Sequence, residues 1–165
     1  MWYNAVMKEP GAIVSAVLHD IHLFADLAAA DLQGLAALFG QRRFRKGETV
    51  FDEDSPGNSM MVIVAGEVRV SQKSGMHLEE ALSILTKGDC FGEMALLENQ
   101  PRSATVIAHT DLVILEISRD SFLAFVSSHP EAGVKILLAL ARRLSARLRE
   151  ADNKIRSFVS LSQWV

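Results

Sequence analysis

The hydrophobic period of this chain changes twice. Across residues 11–40, Ile13, Val17, Ile21, Phe24 and Leu27 recur at spacings of three and four, the stripe of an amphipathic helix. Asp31 is placed to cap a second, short helix through Leu32, Leu35 and Leu38, with Gly40 closing it. From residue 41 to 118 the pattern becomes short apolar runs: RRFRKGETVF, MMVIVAGEVRVSQ, ALSILTKGDCF, SATVIAHT and LVILEIS. Gly, Pro, Asn and Asp separate them, and such runs rich in Val and Ile read as β-strands. Several strands at close spacing predict a sandwich or jelly-roll barrel. MMVIVAGEVRV predicts a hairpin bending near Ala65–Gly66, and the polar stretch Ser71–Glu80 predicts a loop.

After Asp120 the helical period returns. SFLAFVSSH predicts a short helix ending near Pro130, and a long helix follows from Glu131 to Phe158. Its apolar positions Leu137, Ala141, Leu144, Leu148, Ala151, Ile155 and Phe158 are spaced 4-3-4-3-4-3, a heptad seam. With Ala141 as a, Arg147 is a g position and Asp152 the e position that meets it in a parallel partner. At 1.5 Å per residue the helix is about 42 Å long, more than a small barrel covers. The seam therefore predicts a homodimer; packing on the chain's own barrel is the alternative. Together the elements predict a mainly β fold with flanking helices in a single domain over 1–165: N-terminal helices (11–40), a barrel (41–118) and C-terminal helices (119–160).

Composition narrows the function classes. Forty-nine per cent of the 165 residues are hydrophobic, enough for a core without metal or disulfide support. A single cysteine, Cys90, excludes an internal disulfide and suits a reducing, cytoplasmic setting; it reads as a small buried residue. The N-terminus lacks a signal-peptide pattern, and no apolar stretch reaches the roughly 18 residues of a membrane span. A net charge of −3 argues against a nucleic-acid binder. The basic cluster Arg142, Arg143, Arg147, Arg149, Lys154 and Arg156 is interleaved with Glu150 and Asp152, which reads as a solvated helix face. His19 and His22 lack further ligands at metal spacing. No G-x-S-x-G, P-loop or H-E-x-x-H is present, and Glu93 has no paired acid or nucleophile, so no catalytic residues are assigned and no enzyme is expected.

The chemistry concentrates in CFGEMALLENQPRSATV, residues 90–106. Glu93 and Arg102 both sit among apolar residues, and charges are rarely buried unpaired. Either they form a structural ion pair, or they await a ligand. A carboxylate accepts from a hydroxyl, and an arginine fork suits a phosphate. Gly92 lets the backbone approach closely, and one helical turn after Glu93 would turn free amides toward an anion. A hydroxyl beside a phosphate is what a sugar phosphate offers.

FGEMALLENQPRSATV resembles the phosphate-binding cassette of cyclic nucleotide-binding domains. LFADLAAADLQGLA is similar to that family's entry helices, and FDEDSPGNSMMVIVAGEVRV to its turn and following strands. The likeness runs from about Leu18 to Leu148. It implies a double-stranded β-helix barrel and a ligand, cyclic AMP or cyclic GMP, with no further cofactor and no metal. Glu93 would accept the ribose 2′-OH, Arg102 would pair with the phosphate, and amides near Met94, Ala95 and Ala104 would complete the phosphate shell. Gly92 would let the ribose lie close, Val70 would wall the base, and Arg143 would lie over it as a lid. Ser103, directly after the arginine, admits a contact to a guanine amino group without excluding cyclic AMP.

Two departures stand outside the cassette. Asp54 replaces the usual glycine of the turn, a position that aspartate tolerates in left-handed backbone. Met61 replaces the common aromatic of the next strand. After the long helix only residues 159–165 follow, so neither a helix-turn-helix nor an output domain is expected, and the partners implied are the nucleotide, a second copy and an effector protein. The alternative is an interaction domain of the same fold that holds no nucleotide or takes a cyclic dinucleotide.

Overall fold

Residues 10–73, 79–98 and 100–162 are described by the structure, a computed structural model. Its strands are β1 (Gly40–Phe44), β2 (Thr49–Phe51), β3 (Ser59–Ala65), β4 (Val68–Lys73), β5 (Glu79–Leu85), β6 (Cys90–Phe91), β7 (Thr105–Ala108) and β8 (Leu112–Ser118). They form two four-stranded sheets, β1-β8-β3-β6 and β2-β7-β4-β5, with every pairing antiparallel. This is the jelly-roll arrangement, with helices against one sheet.

Alternation along β3 explains the layering. Met61 and Ile63 join Val68, Phe91, Val106, Leu112 and Ile114 between the sheets. Met60 and Val62 point the other way, into a cluster with Leu18, Phe24, Leu35, Phe122 and Ile136 of the helices. A strand buried on both faces reads as a continuous apolar run, which is why MMVIV shows no alternation. Each such side chain contributes about 1.5–3 kcal/mol by leaving water.

The hairpin predicted at Ala65–Gly66 does not form. β3 pairs with β8 and β6, whereas β4 pairs with β5 and β7, so the chain changes sheet at this bend. Gly66 has φ +87°, and a Cβ there would lie 2.2 Å from the Asp111 carbonyl oxygen. The bend requires glycine because it crosses the β7–β8 turn, not because two strands fold onto each other. The stretch predicted as a loop is largely ladder: Ser71, Gln72 and Lys73 pair with Ala81, Glu80 and Glu79. Residues 74–78 lie outside the described residues.

The helices also differ in detail. α1 (Pro10–His19) leads into successive tight turns at Leu18–Leu27, and α2 spans Ala29–Ala36. Ala28, in extended backbone, precedes α2 without a side-chain cap, while Asp31 sits in the first turn, where a carboxylate complements the helix dipole instead. Gly40 opens β1 opposite Glu116 rather than ending a helix. α4 (Arg119–Ser128) is capped by Ser118, whose Oγ accepts from the Ser121 N–H at 3.1 Å.

α5 runs from Pro130 to Ser162, with proline at the first position, where its missing N–H costs no hydrogen bond. Ala132, Ile136 and Leu140 form its buried stripe. The heptad seam lies on another face: Leu137, Ala141, Ala151, Leu148 and Ile155 are exposed, the last two at 64% and 61%. The Phe158 side chain lies outside the described residues.

Candidate functional site

Gly92 follows β6 with φ +70°, Glu93 precedes the single turn α3 (Met94–Leu97), and residues 98–104 return the chain to β7. The β2–β3 turn braces this return, because the Asp54 N–H donates to the Arg102 carbonyl and the Arg102 N–H to that of Ser55, both at 2.9 Å. Asp54 carries the left-handed backbone expected of it, with φ +64°.

Arg102 is 6% exposed. Nη1 donates to the carbonyl oxygens of Ser59 at 2.8 Å and Gly92 at 3.3 Å, and Nη2 donates to Ser59 Oγ at 3.0 Å. Phe51 lies under the group, 4.2 Å from its ring centroid to the guanidinium carbon. Nε is buried and has no hydrogen-bond partner. Burial lowers the pKa of this arginine; Glu116 and then Glu93 oppose the shift. Gly92 is needed here for the arginine itself: a Cβ would lie 2.5 Å from Nη1. Gly57 is similarly tight, with a Cβ 3.0 Å from Arg102 Cδ and Nε.

Glu93 is 1% exposed, and it does not pair with Arg102. Its Oε1 accepts from Nη1 of Arg147 on α5. Arg143, one turn earlier, donates to the Cys90 carbonyl at 2.9 Å and to Asp89 at 3.3 Å. Two arginines thus fasten α5 to the cassette side of the barrel. Between them, Cys90 is fully buried, and that burial pushes its thiol up to about 12, with Arg143 the main opposing charge.

A cavity of about 750 Å³ opens between the β2-β7-β4-β5 sheet, the cassette and α5. Of the residues expected at the site, Val70, Gly92, Met94 and Ala95 line it, as do Arg102, Ser103 and Ala104. Glu93 and Arg143 are not among its lining residues. From α5 the cavity is lined by Arg147, Glu150 and Ala151, whereas Arg143, expected over the base, is not among its lining residues. Arg143 is instead engaged by Asp89 and the Cys90 carbonyl. The amides expected to face an anion are also partly committed, since the Ala95 N–H donates to the Gly92 carbonyl at 3.2 Å.

Sequence reasoning missed Gln72, Leu82 and Ile84 on this wall. Gln72 Nε2 donates to the Ser103 carbonyl at 2.6 Å, tying β4 to the cassette. Leu82 and Ile84 are large, apolar and about half exposed at an edge strand; the alternation in ALSIL was the available signal. Among the described residues no cluster of three metal-ligating side chains occurs, and no helix is long and apolar enough to cross a membrane.

Comparison with known proteins agrees with this geometry. The cyclic nucleotide-binding domain family matches residues 41–129. The chain is 32% identical over 130 residues to the cyclic AMP receptor protein of Thermus thermophilus, covering 79% of this chain and 58% of that protein. It is 36% identical over 133 residues to glutaminase 2 of Bradyrhizobium diazoefficiens, but covers 81% of this chain and only 20% of that enzyme. A crystal structure of a cyclic nucleotide-binding domain from Methylobacillus flagellatus superposes with a TM-score of 0.77 at 25% identity, covering 88% of this chain and 82% of that one. The chain spans between a fifth and somewhat over half the length of the two sequence relatives.

Proposed function

The chain belongs to the cyclic nucleotide-binding domain family, and on that premise we propose that its cavity takes up a cyclic mononucleotide and reports occupancy through α5. The observation that carries this reading is Arg102. A guanidinium buried at the edge of a cavity, with one donor uncommitted, costs free energy that an incoming phosphate oxygen recovers. The ribose 2′-OH would donate to Glu93, in competition with Arg147. Leu82, Ile84 and Val70 offer the base an apolar wall of the kind that small-ligand sites use. Cyclic AMP is the ligand named for the Thermus relative. Ser103, exposed beside Met94 with its Oγ 3.9 Å from the sulfur, leaves cyclic GMP as a second candidate.

Reporting would follow from the competition at Glu93. A ligand shifts a conformational equilibrium only by its difference in affinity for the two states. A ribose hydroxyl that displaces Arg147 supplies such a difference at α5, beyond Leu140, the last buried position among the described residues. An effector protein, or a second copy docking on the exposed seam, would read the change. No reaction is proposed for this domain; among the described residues no metal-ligating cluster occurs. Leu148→Lys should then convert a dimer to a monomer in sedimentation; an unaltered dimer would place the interface elsewhere.

A second reading has one specific observation behind it. Glu93 already has a charged partner within the chain, so the same fold could serve as an interaction domain whose pocket stays closed. Isothermal titration with cyclic AMP, cyclic GMP and a cyclic dinucleotide separates the two. Saturable heat with a mononucleotide supports the sensor; none with any of them at millimolar concentration sinks it.

A further inference from the structure

Arg102 is held by a chain of hydrogen bonds that leaves the cavity altogether. Ser59 Oγ accepts from Arg102 Nη2 at 3.0 Å, and the same hydroxyl donates to Glu116 Oε1 at 2.6 Å. The other carboxylate oxygen, Oε2, accepts from Arg42 Nη1 at 3.0 Å. Neither Ser59 nor Glu116 lines the cavity. Ser59 is 4% exposed at the start of β3, and Glu116 lies two positions along the facing strand from its partner Ser118.

A hydroxyl has one proton to give, and an ionised carboxylate can only accept. Glu116 therefore takes the Ser59 proton and leaves the oxygen's lone pairs to Arg102. With the Ser59 and Gly92 carbonyls engaging Nη1, three of the guanidinium's five N–H bonds are directed into the barrel, and Nε is left uncommitted. Glu93, the other acid near Arg102, is occupied by Arg147, so Glu116 is the carboxylate hydrogen-bonded toward Arg102 in the described structure. We infer that Ser59 and Glu116 are positioning residues for Arg102: the carboxylate orients the hydroxyl, and the hydroxyl holds the guanidinium in the pose that presents its remaining donors to a phosphate. This rests on the proposal that Arg102 takes the phosphate.

A double-mutant cycle tests it, with cyclic AMP affinity measured by competition against a fluorescent analogue. Ser59→Ala should weaken binding by about three- to tenfold, the range for one hydrogen bond. Glu116→Gln should act in the same direction, because a carboxamide facing Arg42 with its oxygen turns its NH₂ toward Ser59 and reverses the hydroxyl. Ser59→Thr, which keeps the hydroxyl, should restore most of the affinity. In an Arg102→Ala background neither substitution should weaken binding further, since contacting groups couple and independent ones add. Additive losses in that background, or full affinity in both single variants, overturn the inference. If Ser59→Ala does not fold, Glu116→Gln, which is half-buried, carries the cycle alone. Failure of the unmodified chain to bind any cyclic nucleotide has a different signature: it removes the functional reading first and this inference with it.

Discussion

The two walls of the cavity are built by different physics. On the barrel wall, Arg102 is fixed by two carbonyls, a serine hydroxyl and an aromatic ring, all from strands or their ends. On the helix wall, the ion pair of Arg147 with Glu93 is made by an arginine side chain that is 41% exposed. Among the described residues, Leu140 is the last fully buried position of α5; past it, Arg143 and Arg147 tie the helix to the barrel. Cores resist displacement because every methylene is in contact, whereas the half-exposed arginine of this pair keeps access to water. The barrel wall is therefore suited to hold a ligand's phosphate, and the helix wall to move.

The sharpest way to break this contrast is to loosen the helix at its root. Ile136→Ala should destabilise the protein by about 2–5 kcal/mol, the usual cost of truncating a fully buried aliphatic side chain, visible as a lowered denaturation midpoint. A cost below 1 kcal/mol would mean that α5 is not anchored there. Arg102→Ala attacks the fixed wall and should weaken cyclic nucleotide binding by about ten- to 150-fold, from roughly 1.5–3 kcal/mol for hydrogen bonds to a charged group. An unchanged dissociation constant would contradict the phosphate assignment.

Arg147→Ala tests the movable wall, and its sign is the informative part. If Arg147 only competes with the ribose for Glu93, its removal should tighten binding, because it leaves a buried carboxylate without its charged partner. Weaker binding would instead give Arg147 a direct contact to the ligand. The test with the smallest effect at neutral pH lies between the walls, at Cys90. Its folded-state pKa is raised from 9.0 to about 12 by burial, so between those values the unfolded chain sheds a proton that the folded chain keeps. Stability should then fall as pH rises from 9 toward 12, and Cys90→Ala should fall less steeply over that interval. At pH 8 the native thiol should resist alkylation.

Much of the cassette was legible because its constraints are local. Gly92, Glu93, Arg102 and Ala104 occur within thirteen consecutive residues, and it was their resemblance to the family's cassette, more than the spacing alone, that singled them out. The partner of Glu93 was not legible. Arg147 is 54 positions away, and its choice over Arg143 depends on how α5 rotates as it leaves the barrel, which no spacing within the helix encodes. The seam and the buried stripe of α5 were distinguishable only once Ile136 and Leu140 were seen to face the core.

Strand partners divide along the same line. Apolar runs and their turn residues located most strands and marked them as β, but not the ends of β4 and β5, whose residues Ser71–Lys73 and Glu79–Ala81 pair with each other. They did not determine that β3 pairs with β8 and β4 with β7, since the ladder is made by backbone groups that are identical in every residue. The sequence by itself therefore set the elements, the glycine-dependent turns and the two charges of the candidate site. Tertiary structure decided which charge is held by the barrel and which by the helix, because that outcome depends on contacts between elements distant along the chain.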